Sequence, residues 1–212
     1  MKKINKNQID EIIAQLKTGR TVVFPTETSY GLGCDATNKF AVDKIFQIKK
    51  READKPLLVL VSSIEEAKKY LVWDEMLEKL SKKYWPGALT IIGICKNPNA
   101  LPRGVVSQSG KLAVRVSADK WLKEITNRLG CPLVATSANI SGQNNIYNSL
   151  EAENIFSAQI LKPDILVDGG QIPIVKPTTI VEVENGVCSI VRQGDLKILF
   201  KTFPTTAFCW TI

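Results

Sequence analysis

The feature that most constrains the fold is a series of short apolar runs, separated from one another by stretches of helical spacing or by turns. Thr21–Phe24, Leu57–Val61, Leu89–Cys95, Leu112–Val116, Pro132–Ala135, Ile165–Val167, Thr179–Val183 and Cys188–Val191 have the length and composition of strands. Ile9, Ile12, Ile13 and Leu16 recur at helical spacing before a stop at Gly19. Ala41–Lys50, Ile64–Tyr70, Asp74–Tyr84 and Lys120–Leu129 read as further helices. Asn185-Gly186, between the last two runs, is a hairpin signal and argues against a purely parallel sheet. The expected fold class is α/β: a single-domain twisted open mixed sheet with flanking helices. One domain over residues 1–212 is the reading that this length favours.

The chain has no histidine. That excludes His-assisted Ser or Cys triads and His-ligated metal centres, leaving Lys, Arg, carboxylates, hydroxyls, amides and backbone groups for any chemistry. Five cysteines at irregular spacing are neither a disulfide framework nor a zinc site. No apolar stretch approaches the ~20 residues of a membrane span, and the start lacks the apolar core of a signal peptide. The expected location is cytoplasmic, with no membrane partner. A net charge of +7 favours anionic partners such as nucleotides or RNA, but it also fits a lysine-rich surface.

Three segments could carry chemistry. Pro25 to Asp35 leaves a strand through three hydroxyls and a carboxylate and then reaches Gly31 and Gly33, which suits close approach to a ligand. Lys49 to Pro56 closes a helix with Lys49, Lys50, Arg51 and Lys55, a phosphate clamp or a set of cations complementing the helix dipole. Thr136 to Gly142 follows an apolar strand with clustered hydroxyls and an amide. Taken singly, each also fits an ordinary turn or cap. Arg115 lies within an apolar strand, where an unpaired cation is costly, so it needs an anionic partner from protein or ligand. Arg192 ends another such run. There is no P-loop and no complete dinucleotide fingerprint.

In order and spacing, these segments resemble the YrdC-like family of threonylcarbamoyl-AMP synthases. The family's PT-x-T-x-YGLG-x-D is met by Pro25 to Asp35, its K-x-R…KPL by Lys49, Arg51 and Lys55 to Leu57, and its SAN-x-SG by Ser137 to Gly142. Trp85 to Thr90, Ala113 to Arg115, Asp168 to Gly170, Pro177 to Val181 and Arg192 to Gly194 match its remaining motifs, so the match spans about residues 21–195.

The resemblance implies a YrdC-like open sheet with a basic cavity. It implies that L-threonine, bicarbonate and ATP become threonylcarbamoyl-adenylate and pyrophosphate. A separate tRNA threonylcarbamoyl transferase complex would then act on tRNA position 37, and direct contact of this chain with tRNA is left open. It also implies threonine binding by Thr28, Arg115, Ser137 and Thr178, and ATP binding by Lys49, Arg51, Lys55, Asn139 and Arg192, with Mg²⁺ accompanying the nucleotide. Glu52 and Leu60 depart from the pattern, as does Ser117-Ala118-Asp119. Leu60 stands where longer members often carry a histidine, and the short form of the family fits best. Two other readings compete with this one. The first is a non-catalytic RNA-binding module of the same fold. The second is a carbamoyl-adenylate relative of the hydrogenase-maturation kind, whose zinc-finger-like cysteines this sequence lacks.

Overall fold

The computed structural model describes residues 1–52 and 55–198. In chain order the elements are β1 (Lys2–Asn5), α1 (Ile9–Lys17), β2 (Val22–Pro25), β3 (Tyr30–Gly33), α2 (Lys39–Lys49), β4 (Val59–Leu60), α3 (Ile64–Tyr70) and α4 (Glu75–Tyr84). They continue with β5 (Leu89–Ile94), β6 (Lys111–Arg115), α5 (Lys120–Leu129), β7 (Leu133–Val134), β8 (Thr136–Ser137), α6 (Ser149–Ser157), β9 (Ile165–Asp168), β10 (Thr179–Glu184) and β11 (Val187–Arg192). The helices begin where side chains can satisfy their first free N–H groups. Asn38, Ser63, Asp74, Asp119 and Asn148 each accept a backbone N–H of the first turn.

The strands form a mixed α/β structure, but in two sheets rather than the expected one. The first has the order β1-β9-β2-β3-β8 and the second β11-β10-β5-β6-β4-β7. Both mix parallel and antiparallel pairs. They meet where the chain leaves β3: Val134 N–H donates to Cys34 O at 2.9 Å, and Asp35 pairs with Leu133. Strand alternation sorts side chains to the two faces of the first sheet. Val22 and Phe24 pack in a cluster with Ile12, Leu16, Leu122 and Ile125 of α1 and α5. Val23 and Leu32 face the larger core with Ile45 and Ile48 of α2 and Phe156 of α6.

Several sequence expectations shift for physical reasons. Tyr30–Gly33 and Thr136–Ser137, read as loops, are strands that pair with each other. Their glycines and hydroxyls hid the β pattern. The run Leu57–Val61 gives only the two-residue β4, although Leu57, Val59, Leu60 and Val61 are buried. Its neighbouring backbone groups bond elsewhere, Leu57 N–H to Gly104 O and Val61 N–H to Arg115 O. β1 buries only Ile4, and α6 buries only Ser149, Ala152 and Phe156, so neither had a strong periodic signal. The hairpin at Asn185-Gly186 forms as expected, with φ of 52° and 74°. Of the apolar tail Leu196–Ile212, Leu196 and Ile198 pack on the main core, and residues 199–212 lie outside the described residues.

The junction of the sheets depends on Gly33. A Cβ there would stand 2.0 Å from Val134 O and 2.8 Å from the Phe24 ring. Gly33→Ala is therefore expected to destabilise the fold by about 1–3 kcal/mol or more. Urea unfolding should show a lower midpoint with an unchanged slope.

Candidate active site

The turn between β2 and β3 is built by one hydroxyl. Thr26 Oγ1 accepts the N–H groups of Thr28 (3.1 Å) and Ser29 (3.2 Å) and donates to Ser29 O at 2.6 Å. This holds the Thr28 hydroxyl 3.1 Å from that of Thr26. The segment after β8 is tied back to β3, where Ala138 N–H donates to Tyr30 O and Tyr30 N–H to Ile146 O, both at 2.8 Å. Ser137 Oγ, at the end of β8, donates to Asn139 Oδ1 at 2.5 Å, and the Asn139 amide donates to Gln143 O.

These two segments form part of the wall of a cavity of about 380 Å³ at the junction of the sheets. Arg115 enters it from β6, Thr90 from β5, Thr178 from the approach to β10, Arg192 from the end of β11, and Leu57, Leu58 and Leu60 from around β4. The described residues lining the cavity include Arg51, Arg115 and Arg192 but no Asp or Glu. Each guanidinium is aimed by backbone carbonyls. Arg51 donates to Lys55 O (2.8 Å) and Pro56 O (3.1 Å), Arg115 Nε to Gly87 O (3.0 Å), and Arg192 Nη2 to Thr178 O (2.9 Å). Burial lowers the pKa of Arg115 and Arg192 from the ordinary arginine value. Thr136 Oγ1, 7% exposed by residue and on the cavity wall, has no hydrogen-bond partner among the described residues. Such a group is ready for a ligand atom.

Of the residues expected from the sequence, Thr28, Arg115, Ser137, Thr178, Arg51, Asn139 and Arg192 come together on this cavity. Lys49 and Lys55 do not line it. Lys49 is 2% exposed, and its ammonium donates to Ser137 O (2.5 Å), Asn139 O (2.8 Å) and Asn139 Oδ1 (3.4 Å). Its own carbonyl accepts Ser141 N–H at 3.0 Å. Lys55 pairs with Glu52 at 3.0 Å, the residue that departs from the family pattern. Leu60, the other departure, lines the cavity as an apolar wall. Thr136 lies in the third segment expected to carry chemistry, whereas Thr90, Gln143 and Asn145 were not expected as site residues. The clustered polar residues of 139–148 were the only signal for the last two. No group of three or more His, Cys, Asp or Glu stands where it could hold a metal ion among the described residues. The described wall of the cavity offers no carboxylate to hold Mg²⁺, and no step is routed through one. No helix of the described residues is long and apolar enough to cross a membrane.

A family model described as telomere recombination, covering Sua5, YciO and YrdC proteins, matches residues 14–194. The chain belongs to this family. Among its Sua5/YciO/YrdC relatives, the threonylcarbamoyl-AMP synthase of Bacillus subtilis is 33% identical over 91% of this chain and 55% of its own length. That of Pseudoalteromonas translucida is 34% identical over 86% of this chain and 96% of its own length. The crystal structure of Pyrococcus abyssi Sua5 complexed with L-threonine superposes with a TM-score of 0.82 at 30% identity, over 92% of this chain and 57% of that one. The chain thus spans a little over half of the Bacillus and Pyrococcus proteins and nearly all of the Pseudoalteromonas one.

Burial, and then the nearby Arg51, lowers the Lys49 pKa from 10.5 to about 7. At this side chain the unfolded state therefore binds more protons than the folded one between about pH 7 and 10.5, so the contribution of Lys49 to stability rises with pH across that window. The buried thiols of Cys34, Cys131 and Cys188, whose pKa burial raises, act in the opposite sense once the unfolded chain loses their protons. Between pH 7 and 9.5 the urea midpoint of the wild type should therefore gain more, or lose less, than that of Lys49→Met.

Proposed function

We propose that the chain is an L-threonylcarbamoyladenylate synthase acting on L-threonine, bicarbonate and ATP. The observation that carries this reading is a small cavity lined by three arginines and many hydroxyls, with no carboxylate in its described wall. Its volume of about 380 Å³ suits small molecules, and its charge suits anionic ones. The relatives' names and the threonine held by the Pyrococcus protein support the same choice.

In this reading, Arg115 takes the threonine carboxylate, with hydroxyls of Thr28, Ser137 and Thr178 around the amino acid. Arg51, Asn139 and Arg192 face the nucleotide. The threonine nitrogen, once it has lost its ammonium proton, attacks the carbon of bicarbonate. A C–N bond forms and hydroxide leaves as water, giving a carbamate. A carbamate oxygen then attacks the α-phosphorus of ATP, and the bond to pyrophosphate breaks. No protein nucleophile is needed, consistent with a chain that has no histidine. The protein aligns an unstable carbamate with the phosphate, and its fixed arginines stabilise charge developing on the leaving group. Any Mg²⁺ would come with the triphosphate. The product would pass in the cytoplasm to a tRNA threonylcarbamoyl transferase.

Pyrophosphate release from ATP and bicarbonate, measured with and without L-threonine, tests the reading. Dependence on threonine is expected, and turnover indifferent to it would refute the assignment. Arg192→Ala should lower kcat/KM by roughly 10²–10³-fold while the protein stays folded by circular dichroism. Glu52→Ala should leave stability nearly unchanged, because an exposed pair contributes under about 1 kcal/mol.

A further inference from the structure

Arg115 is 4% exposed and lines the cavity, yet it already holds a carboxylate from the protein itself. Its Nη2 donates to Oε1 of Glu27, which lies in the β2–β3 turn between Thr26 and Thr28. Ser117 Oγ donates to the same oxygen at 2.7 Å. The other oxygen, Oε2, is buried and has no hydrogen-bond partner among the described residues. Glu27 is therefore gripped through one oxygen only, whereas a guanidinium can hold a free carboxylate by two parallel hydrogen bonds. A buried carboxylate oxygen without a donor is itself unfavourable, which weakens the internal pair further. The Glu27 side chain is 26% exposed, so a route toward solvent lies beside it.

We infer that Glu27 is an internal stand-in for the substrate's carboxylate, occupying Arg115 until an incoming carboxylate displaces it. This rests on the reading of Arg115 as the carboxylate site, and it makes Glu27 a residue that sets affinity for the amino acid. In the unliganded protein, Glu27 keeps a buried cation neutralised, as burial requires. When a carboxylate arrives, Arg115 exchanges one anion for another, and Glu27 turns out with Ser117 released. Apparent affinity for the amino acid is reduced by the fraction of molecules in which Arg115 is free.

Calorimetric binding of L-threonine, L-threoninamide and acetate to the wild type, Glu27→Gln and Ser117→Ala tests this. Glu27→Gln removes the competing charge and should bind L-threonine and acetate roughly tenfold more tightly, the gain expected if the free state is about a tenth populated. Ser117→Ala keeps the charges and loosens the grip, so it should shift binding in the same direction by a smaller factor. L-Threoninamide, which has no carboxylate, should gain nothing. A merely structural role for Glu27 would weaken binding or leave it unchanged, and never tighten it for carboxylates alone. If neither variant tightens either carboxylate, the exchange is refuted. If both carboxylates tighten equally and threonine supports no pyrophosphate release, the exchange stands and the threonine assignment fails.

Discussion

Lys49 closes α2 with its side chain turned into the protein, where its three N–H donors and its own carbonyl all bond to β8 and the segment that follows it. One buried residue thus couples the end of a helix to the loop that carries Ser137 and Asn139. The loop would otherwise leave carbonyls without donors beside an apolar core. Beyond Lys49 the chain turns through a left-handed Lys50. That turn releases Arg51 toward the cavity while Lys49 stays behind it. One anchor therefore sets both Arg51 and the loop of Asn139 relative to the cavity.

The arginines of the cavity solve a related problem. A cation that must meet an anionic ligand cannot be neutralised permanently by a carboxylate, yet burying it bare is costly. Backbone carbonyls at Lys55, Pro56, Gly87 and Thr178 help to aim the three guanidiniums. Arg115, the most deeply buried of them, has Glu27 as well. Fixed donors of this kind need no reorganisation when charge develops on a bound phosphate, and that is the contribution the proposed chemistry requires.

Much of this was legible in the sequence, for identifiable reasons. Thr28, Ser137, Asn139 and Arg115 sit where an apolar strand gives way to polar residues or carries an isolated cation, and the structure brings all four to one cavity. Lys49 was legible as special but not as buried. A lysine in a basic run at a helix end looks solvent-facing, and only the fold shows that its donors are used on carbonyls 88 and 90 residues away in the chain. The second sheet was illegible for a similar reason. Its strands were read as apolar runs, but their separation from the first sheet rests on pairings distant in sequence, such as β4 with β6 and β7, while β3 and β8, read as loops, complete the first sheet by pairing with each other. Glu27 carried no signal of its pairing, because its partner Arg115 lies 88 positions away.

The central claim is that a single cavity at the junction of two sheets holds an amino acid on Arg115 and a triphosphate on Arg51 and Arg192. A crystal structure of the chain soaked with L-threonine and a non-hydrolysable ATP analogue tests it most directly. The account predicts the threonine carboxylate on the Arg115 guanidinium and phosphate oxygens within hydrogen-bond distance of Arg51 and Arg192, with Lys49 still bonded to the loop behind them. Threonine bound away from Arg115, or a triphosphate contacting neither Arg51 nor Arg192, would contradict it.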